Sequence, residues 1–112
     1  MATTKNLVID QGATFTSDIT VKDINGNVFD LTGYTAVAKL AKGYSSTRTR
    51  TAMTTAFAQD RTSGILSISL TSNQTASLDP ERYVYDVEIT SSGGIVTRVL
   101  EGIITVRPEV SV

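Results

Sequence analysis

Cysteine, histidine and tryptophan are absent from the 112 residues, and proline occurs only twice. Without cysteine there can be no disulfide, no thiolate nucleophile and no thiolate-held metal. Without histidine the chain lacks the side chain that titrates nearest neutral pH, which is also the commonest metal ligand. Zinc enzymes and histidine-dependent hydrolases are therefore excluded. An excess of one charge is lacking too: ten basic and eleven acidic residues leave a formal net charge of −1. That balance offers no global field to attract nucleic acid or an anionic membrane, so neither is expected as a partner. No apolar run approaches membrane-spanning length. Met1–Asn6 has no apolar leader segment, so no secretory signal is expected. Asn73-Gln74-Thr75 fits the glycosylation triplet, but without a leader it is read as coincidence.

What is present suits strands. Serine and threonine make up about a quarter of the chain, and threonine is β-branched and tolerates water. A chain of this length forms one domain, expected over 1–112, and buries roughly 65% of its unfolded surface. The most informative stretch is its last third. Tyr83, Tyr85, Val87 and Ile89 alternate with Val84, Asp86, Glu88 and Thr90, which predicts a strand with one dry and one wet face. Ser91-Ser92-Gly93-Gly94 supplies the backbone freedom of a tight turn into a second strand ending near Val106.

Earlier segments repeat the pattern. Leu7-Val8-Ile9 is a short apolar run broken by Asp10-Gln11-Gly12. Phe15, Ser17, Ile19 and Val21 alternate with polar residues, and Asn25-Gly26 is a strong turn signal. Strands are expected over Tyr34–Lys42, with Ala36, Ala38 and Leu40 on one face, and over Thr51–Gln59, with Met53 and Phe57 on one side. Leu66, Ile68 and Leu70 alternate with Ser67 and Ser69. Thr71-x-x-Gln74 is a capping-box pattern that predicts a short helix near Ser72–Ser77, with Ala76 and Leu78 toward the core. Seven or eight short strands with one helical turn define an all-β expectation: an antiparallel immunoglobulin-like β-sandwich. In such domains a tyrosine after the helical crossing hydrogen-bonds back to the backbone, and Tyr83 and Tyr85 are the candidates. The segments 1–6 and 108–112 lie outside the alternating strands and are expected to be terminal arms contributing little to the core.

No constellation reads as catalytic. Asp86 and Glu88 share a strand face but have no cleft, and Arg98 is their expected cross-strand partner. Lys39, Lys42, Arg48, Arg50 and Arg61 gather around Tyr44, and are read as a solvated loop or protein contact. Asp23-Ile24-Asn25 and Asp79-Pro80-Glu81 offer oxygens without the spacing of a calcium loop. No glycine sits in a phosphate-loop pattern, and no serine has a base to activate it. The chain is expected to be no enzyme and to need no cofactor or metal.

Three motifs carry a family resemblance: Asp30-Leu31-Thr32-Gly33-Tyr34 after the Asn25-Gly26 turn, Arg82-Tyr83-Val84-Tyr85-Asp86 after the helical turn, and the closing Gly102-x-x-x-Val106-x-Pro108-Glu109-Val110. Together they resemble small immunoglobulin-like structural proteins of tailed bacteriophages, and the N-terminal domain of phage baseplate upper proteins. The resemblance spans Gly12 to Val110 and implies no catalytic residues. It implies a virion component, assembled in the host cytoplasm and present in several copies or as a homo-oligomer among other virion proteins. The implied place is the tail, baseplate or fibre attachment. With the sequence ending at Val112, an accessory or connector subunit is favoured over a receptor-binding one. The alternatives are a head decoration protein and a surface carbohydrate-binding or adhesion module, the latter needing Tyr34 or Tyr44 as an exposed platform. Strand addition at sheet edges is the expected joint. The expected contacts are Thr3, Thr4, Lys5, Tyr44, Arg48, Arg50, Pro108, Glu109 and Val110.

Overall fold

A computed structural model describes residues 3–43 and 49–110. It contains eight strands: β1 (Thr3–Thr4), β2 (Leu7–Asp10), β3 (Phe15–Thr20), β4 (Thr35–Ala41), β5 (Arg50–Phe57), β6 (Ile65–Leu70), β7 (Arg82–Thr90) and β8 (Val96–Arg107). One short helix, α1 (Ser72–Ala76), and a 3-10 turn at Arg61–Ser63 interrupt them. Helix α1 starts where the capping box places it. The Thr71 hydroxyl accepts from Gln74 N, and the Gln74 side chain accepts from Thr71 N. Its inward residue is Thr75, fully buried, while Ala76 is exposed; Leu78 does reach the core. A five-residue helix has room for little more than one inward position, and that position falls on the threonine.

The strands form one sheet curled into a half-barrel, in the order β1-β8-β7-β4-β5-β6-β3, with β2 also paired to β8. Strand β5 makes the curl. Its first half, Arg50–Met53, pairs with Ala41–Ala38 of β4. Its second half, Thr54–Phe57, pairs with Ser69–Leu66 of β6. Hydrogen bonding is thus continuous from one half to the other. Ile9, Leu31, Leu66, Ile68, Val87 and Ile104 fill the concave side with no exposed surface. Burying each such side chain is worth about 1.5–3 kcal/mol.

Strands β7 and β8 form the predicted hairpin, joined through Ser91–Ile95, where Ser91 N donates to Ile95 O and Gly94 takes φ +86°. The strict alternation of β7 survives whole, but β8 carries a bulge. Val87 faces Leu100 while Glu88 faces Arg98, so Val99 is an extra residue. Both Val99 and Leu100 are buried. The extra residue inverts the side-chain parity of all that follows. Arg98 and Glu101 therefore share the outer face despite their odd spacing. The Arg98 guanidinium lies 3.3 Å from Asp86 and 3.8 Å from Glu101.

The termini differ from expectation. Residues 3–5 are no free arm. Thr3 and Thr4 pair in parallel with Leu100 and Glu101, and Leu7–Asp10 continue in the same register against Ile104–Arg107. A parallel ladder between the two ends of a chain cannot be read from local alternation, because its partner lies almost the whole sequence away. Pro108 does follow the last strand, but Glu109 N donates to the Gln11 side chain, which ties down the start of the tail.

The dry and wet faces of β7 give a direct test. Val87→Ala removes two fully buried carbons and is expected to cost about 1–3 kcal/mol. Thr90→Ala on the outer face is expected to cost less than about 0.5 kcal/mol. Urea melts of both variants check this, and equal costs would show the faces to be misassigned.

Candidate assembly surface

A half-barrel leaves two edges. One is the run β1–β2 along β8, and the other is β3, which pairs with β6 alone. Among the described residues no strand pairs to the outer edge of either. Between them lies an open groove of about 410 Å³, with Thr3 and Lys5 on one rim and Asp18, Thr20 and Lys22 on the other. Ile19, Val21, Val99 and Leu100 line its floor. The β8 bulge is what puts two adjacent apolar residues there.

The outward backbone groups of β3 can be assigned. Val21 N donates to Gly64 O, so Val21 belongs to a bonded pair. Bonded and non-bonded pairs alternate along an antiparallel ladder. Thr20, Asp18 and Thr16 therefore turn their N–H and C=O groups away from β6, toward solvent. Their side chains are exposed, and Asp18 places a charge on this edge, a common protection of a free strand.

On the opposite side the edge segment is fastened to β8 by more than its ladder. Lys5 N donates to Glu101 O at 2.9 Å, and the Tyr85 hydroxyl donates to Lys5 O at 2.5 Å. Asn6 Oδ1 accepts from Ile103 N at 3.1 Å. At Lys5 the chain dips over Gly102, the cross-strand partner of Tyr85. A Cβ at Gly102 would lie 2.9 Å from the Lys5 carbonyl carbon and closer still to its oxygen. At the far end the Arg107 guanidinium holds Asp10 at 2.7 Å. That hydrogen bond keeps the Asp10 carboxyl below its ordinary pKa.

The other tyrosine anchors the crossing from α1. Tyr83 OH donates to Asp79 O, four residues upstream, at 3.0 Å. Burial raises the pKa of both phenols, that of Tyr85 to about 12. An unfolded phenol titrates near 10. Between pH 10 and about 12 the unfolded chain releases the proton while the folded chain keeps it. Stability contributed by Tyr85 is then complete below pH 10 and is lost as pH rises through that window. Lys42, whose pKa is raised first by its hydrogen bond to Asp79 and then by Glu81, loses its charge-dependent stability in the same direction. Stability is therefore expected to decline in urea melts from pH 9 to 12, and Tyr85→Phe to flatten part of that decline. An unchanged slope would remove Tyr85 from the account.

The expected contact residues do not form one surface. Thr3, Thr4 and Lys5 lie beside Leu100, whereas Pro108, Glu109 and Val110 leave the other end of β8, seven residues or about 23 Å away. Val110 is 95% exposed. Arg50 starts β5 and borders a shallow polar depression on the outer face with Lys39, Asp86 and Glu88. Tyr44 and Arg48 fall outside the described residues. Of the basic cluster, Lys39 and Arg50 stay together at that depression, while Lys42 and Arg61 are engaged with other partners. Lys42 bridges Asp79 and Glu81 at 2.8 and 3.3 Å. Arg61 stacks 3.9 Å over Phe57 and donates to Tyr34 O. Tyr34 packs edge-on against Phe29 at 5.5 Å, so its ring is half-buried rather than presented as a platform.

Sequence reasoning missed Gly102 and Gln11 as fasteners, and β3 as an open edge. A lone glycine within a strand signals a bulge or a close backbone approach, and Gly102 carried that signal. A scan of protein-family models and a search of curated proteins found no match to this chain. Among solved structures, an internalin-like protein of Listeria monocytogenes, lmo2027, is similar at 17% identity and a TM-score of 0.48. The similarity covers 95% of this chain but only 28% of that protein.

Proposed function

We propose that this chain is a non-enzymatic structural subunit of a tailed-phage particle, in the tail, baseplate or fibre-attachment region, which joins its neighbours through sheet edges. The phage setting rests on the resemblance carried by Asp30–Tyr34, Arg82–Asp86 and Gly102–Val110. The joining role rests on one observation: the outer edge of β3 presents the backbone groups of Thr16, Asp18 and Thr20 beside a groove with an apolar floor. Main-chain pairing to such an edge gives affinity, and apolar pockets beside it give selectivity.

The immunoglobulin-like reading belongs to the same proposal. Two features favour it: the Tyr83 bond back to Asp79 O after the helical crossing, and the division of β5 between the two halves of the sheet.

Asp18→Pro is the test. The Asp18 N–H points away from β6, so proline there removes no ladder bond of the domain but denies one to an added strand. The variant is expected to keep its near-ultraviolet circular dichroism and to lose most of its incorporation into particles. Incorporation at wild-type stoichiometry would sink the edge role. Absence of the wild-type protein from purified particles would sink the phage setting.

A further inference from the structure

The β8 edge is shaped for one particular strand. Its fit to residues 3–10 is not generic main-chain pairing. Gly102 leaves the space over which the Lys5 carbonyl dips, and Tyr85 OH is aimed at that carbonyl. Ile103 N is met by the Asn6 side chain, Arg107 by Asp10, and Ile9 is wholly buried in the core. A strand of another sequence laid on β8 would forfeit several of these contacts at once. The one chain certain to reproduce them all is a second copy of this protein.

The connection to the rest of the domain permits such an exchange. Strands β2 and β3 are consecutive but do not pair with each other; they lie on opposite edges of the half-barrel. The segment can therefore swing out about Gln11–Thr14 without breaking a hairpin. Gly12, at φ +83°, supplies the pivot, and five long-range hydrogen bonds hold the turn: Gly12 N to Thr75 Oγ1, Thr75 Oγ1 to Ala13 O, Gln11 Nε2 to Leu78 O, Gln11 N to Arg107 O and Glu109 N to Gln11 Oε1.

We infer that residues Thr3–Asp10 are an exchangeable strand, which in neighbouring copies crosses reciprocally to take the same place along the partner's β8. This rests on the proposed role in joining subunits, but uses the opposite edge from β3. The closed and exchanged forms make identical strand contacts. They differ mainly in the turn and in the entropy of association, so copy density decides between them. Tethering of the segment in its own chain corresponds to an effective concentration in the millimolar range, which close packing of copies can rival.

The absence of cysteine makes the test clean. Val8 and Thr105 are register partners, so their Cα atoms lie about 4.8 Å apart across the ladder. The full chain carrying Val8→Cys and Thr105→Cys is concentrated, held just below its unfolding midpoint to let the edge open, cooled and fractionated by size. A short bis-thiosulfonate cross-linker is then applied to each fraction. Exchange predicts that the dimer fraction yields a covalent dimer on a denaturing gel, its band at twice the monomer mass, with thiols consumed. A dimer fraction that yields only internally linked monomer overturns the exchange. So does a chain that stays monomeric through the whole procedure. In either case the Asp18→Pro result still decides separately whether the β3 edge joins subunits.

Discussion

Gly102→Val is expected to detach residues 3–10 from the sheet and lower stability by about 2–4 kcal/mol. The new side chain would need the space in which the Lys5 carbonyl lies, and that neighbour is backbone rather than a flexible side-chain end. Backbone cannot give way there without abandoning the bonds from Lys5 N to Glu101 O and from Tyr85 OH to Lys5 O. If the whole segment leaves, the fold loses the burial of Ile9, about 1.5–3 kcal/mol. It also loses a run of ladder bonds worth about 0.5–1.5 kcal/mol each. The released residues regain backbone entropy, which offsets part of the sum. Hydrogen exchange locates the effect. Amides of residues 7–10 should lose protection in the variant while those of Leu66–Leu70 keep theirs. Full protection at Ile9 would show that the strand passes Gly102 more loosely than the geometry indicates.

Thr75→Val is the second large effect, at about 2–3 kcal/mol. Thr75 is the buried polar residue of the domain's interior among the described residues, with no exposed surface. Its hydroxyl donates to Ala13 O at 2.8 Å and accepts from Gly12 N at 3.0 Å. Valine keeps the shape but leaves the Gly12 N–H and the Ala13 carbonyl without that partner. Each unsatisfied group costs about 1–3 kcal/mol to the extent that water cannot reach it. Thr75→Ser loses one methyl group and keeps the hydroxyl, so it should recover more than half of the stability. The check is a shift in the urea midpoint at constant slope, which separates a stability change from a change in the unfolded state. A serine variant as weak as the valine one would mean that packing, not hydrogen bonding, holds the turn.

The two predictions concern residues of unequal legibility. The strands of the core were readable because each states its own period. Leu66, Ile68 and Leu70 came out buried, as did Tyr83, Tyr85, Val87 and Ile89. The capping box was readable because Thr71 and Gln74 bond within one turn. The adjacent apolar pair Val99-Leu100 broke the alternation of β8 openly, yet its meaning as a bulge depends on the partner strand. The edge segment was opaque for a different reason. Thr3 and Thr4 have no apolar face of their own, and what makes them a strand is the ladder offered by Leu100 and Glu101. Which edges remain open, and so where subunits can join, follows from the path of all eight strands together. Local pattern carries none of that information.

The parallel ladder between the first and last strands also fixes how the domain answers mechanical load. The chain enters β1 beside Leu100 and leaves β8 at Arg107, so a pull on its two ends runs along the strands. The ladder bonds of β1 and β2 to β8 are then stretched side by side, in shear, and must yield together rather than one at a time as in a hairpin peeled from its open end. Resistance to such a pull is set by the unfolding rate rather than by the equilibrium. A domain of this connectivity can be modest in thermodynamic stability and still hold tension applied end to end.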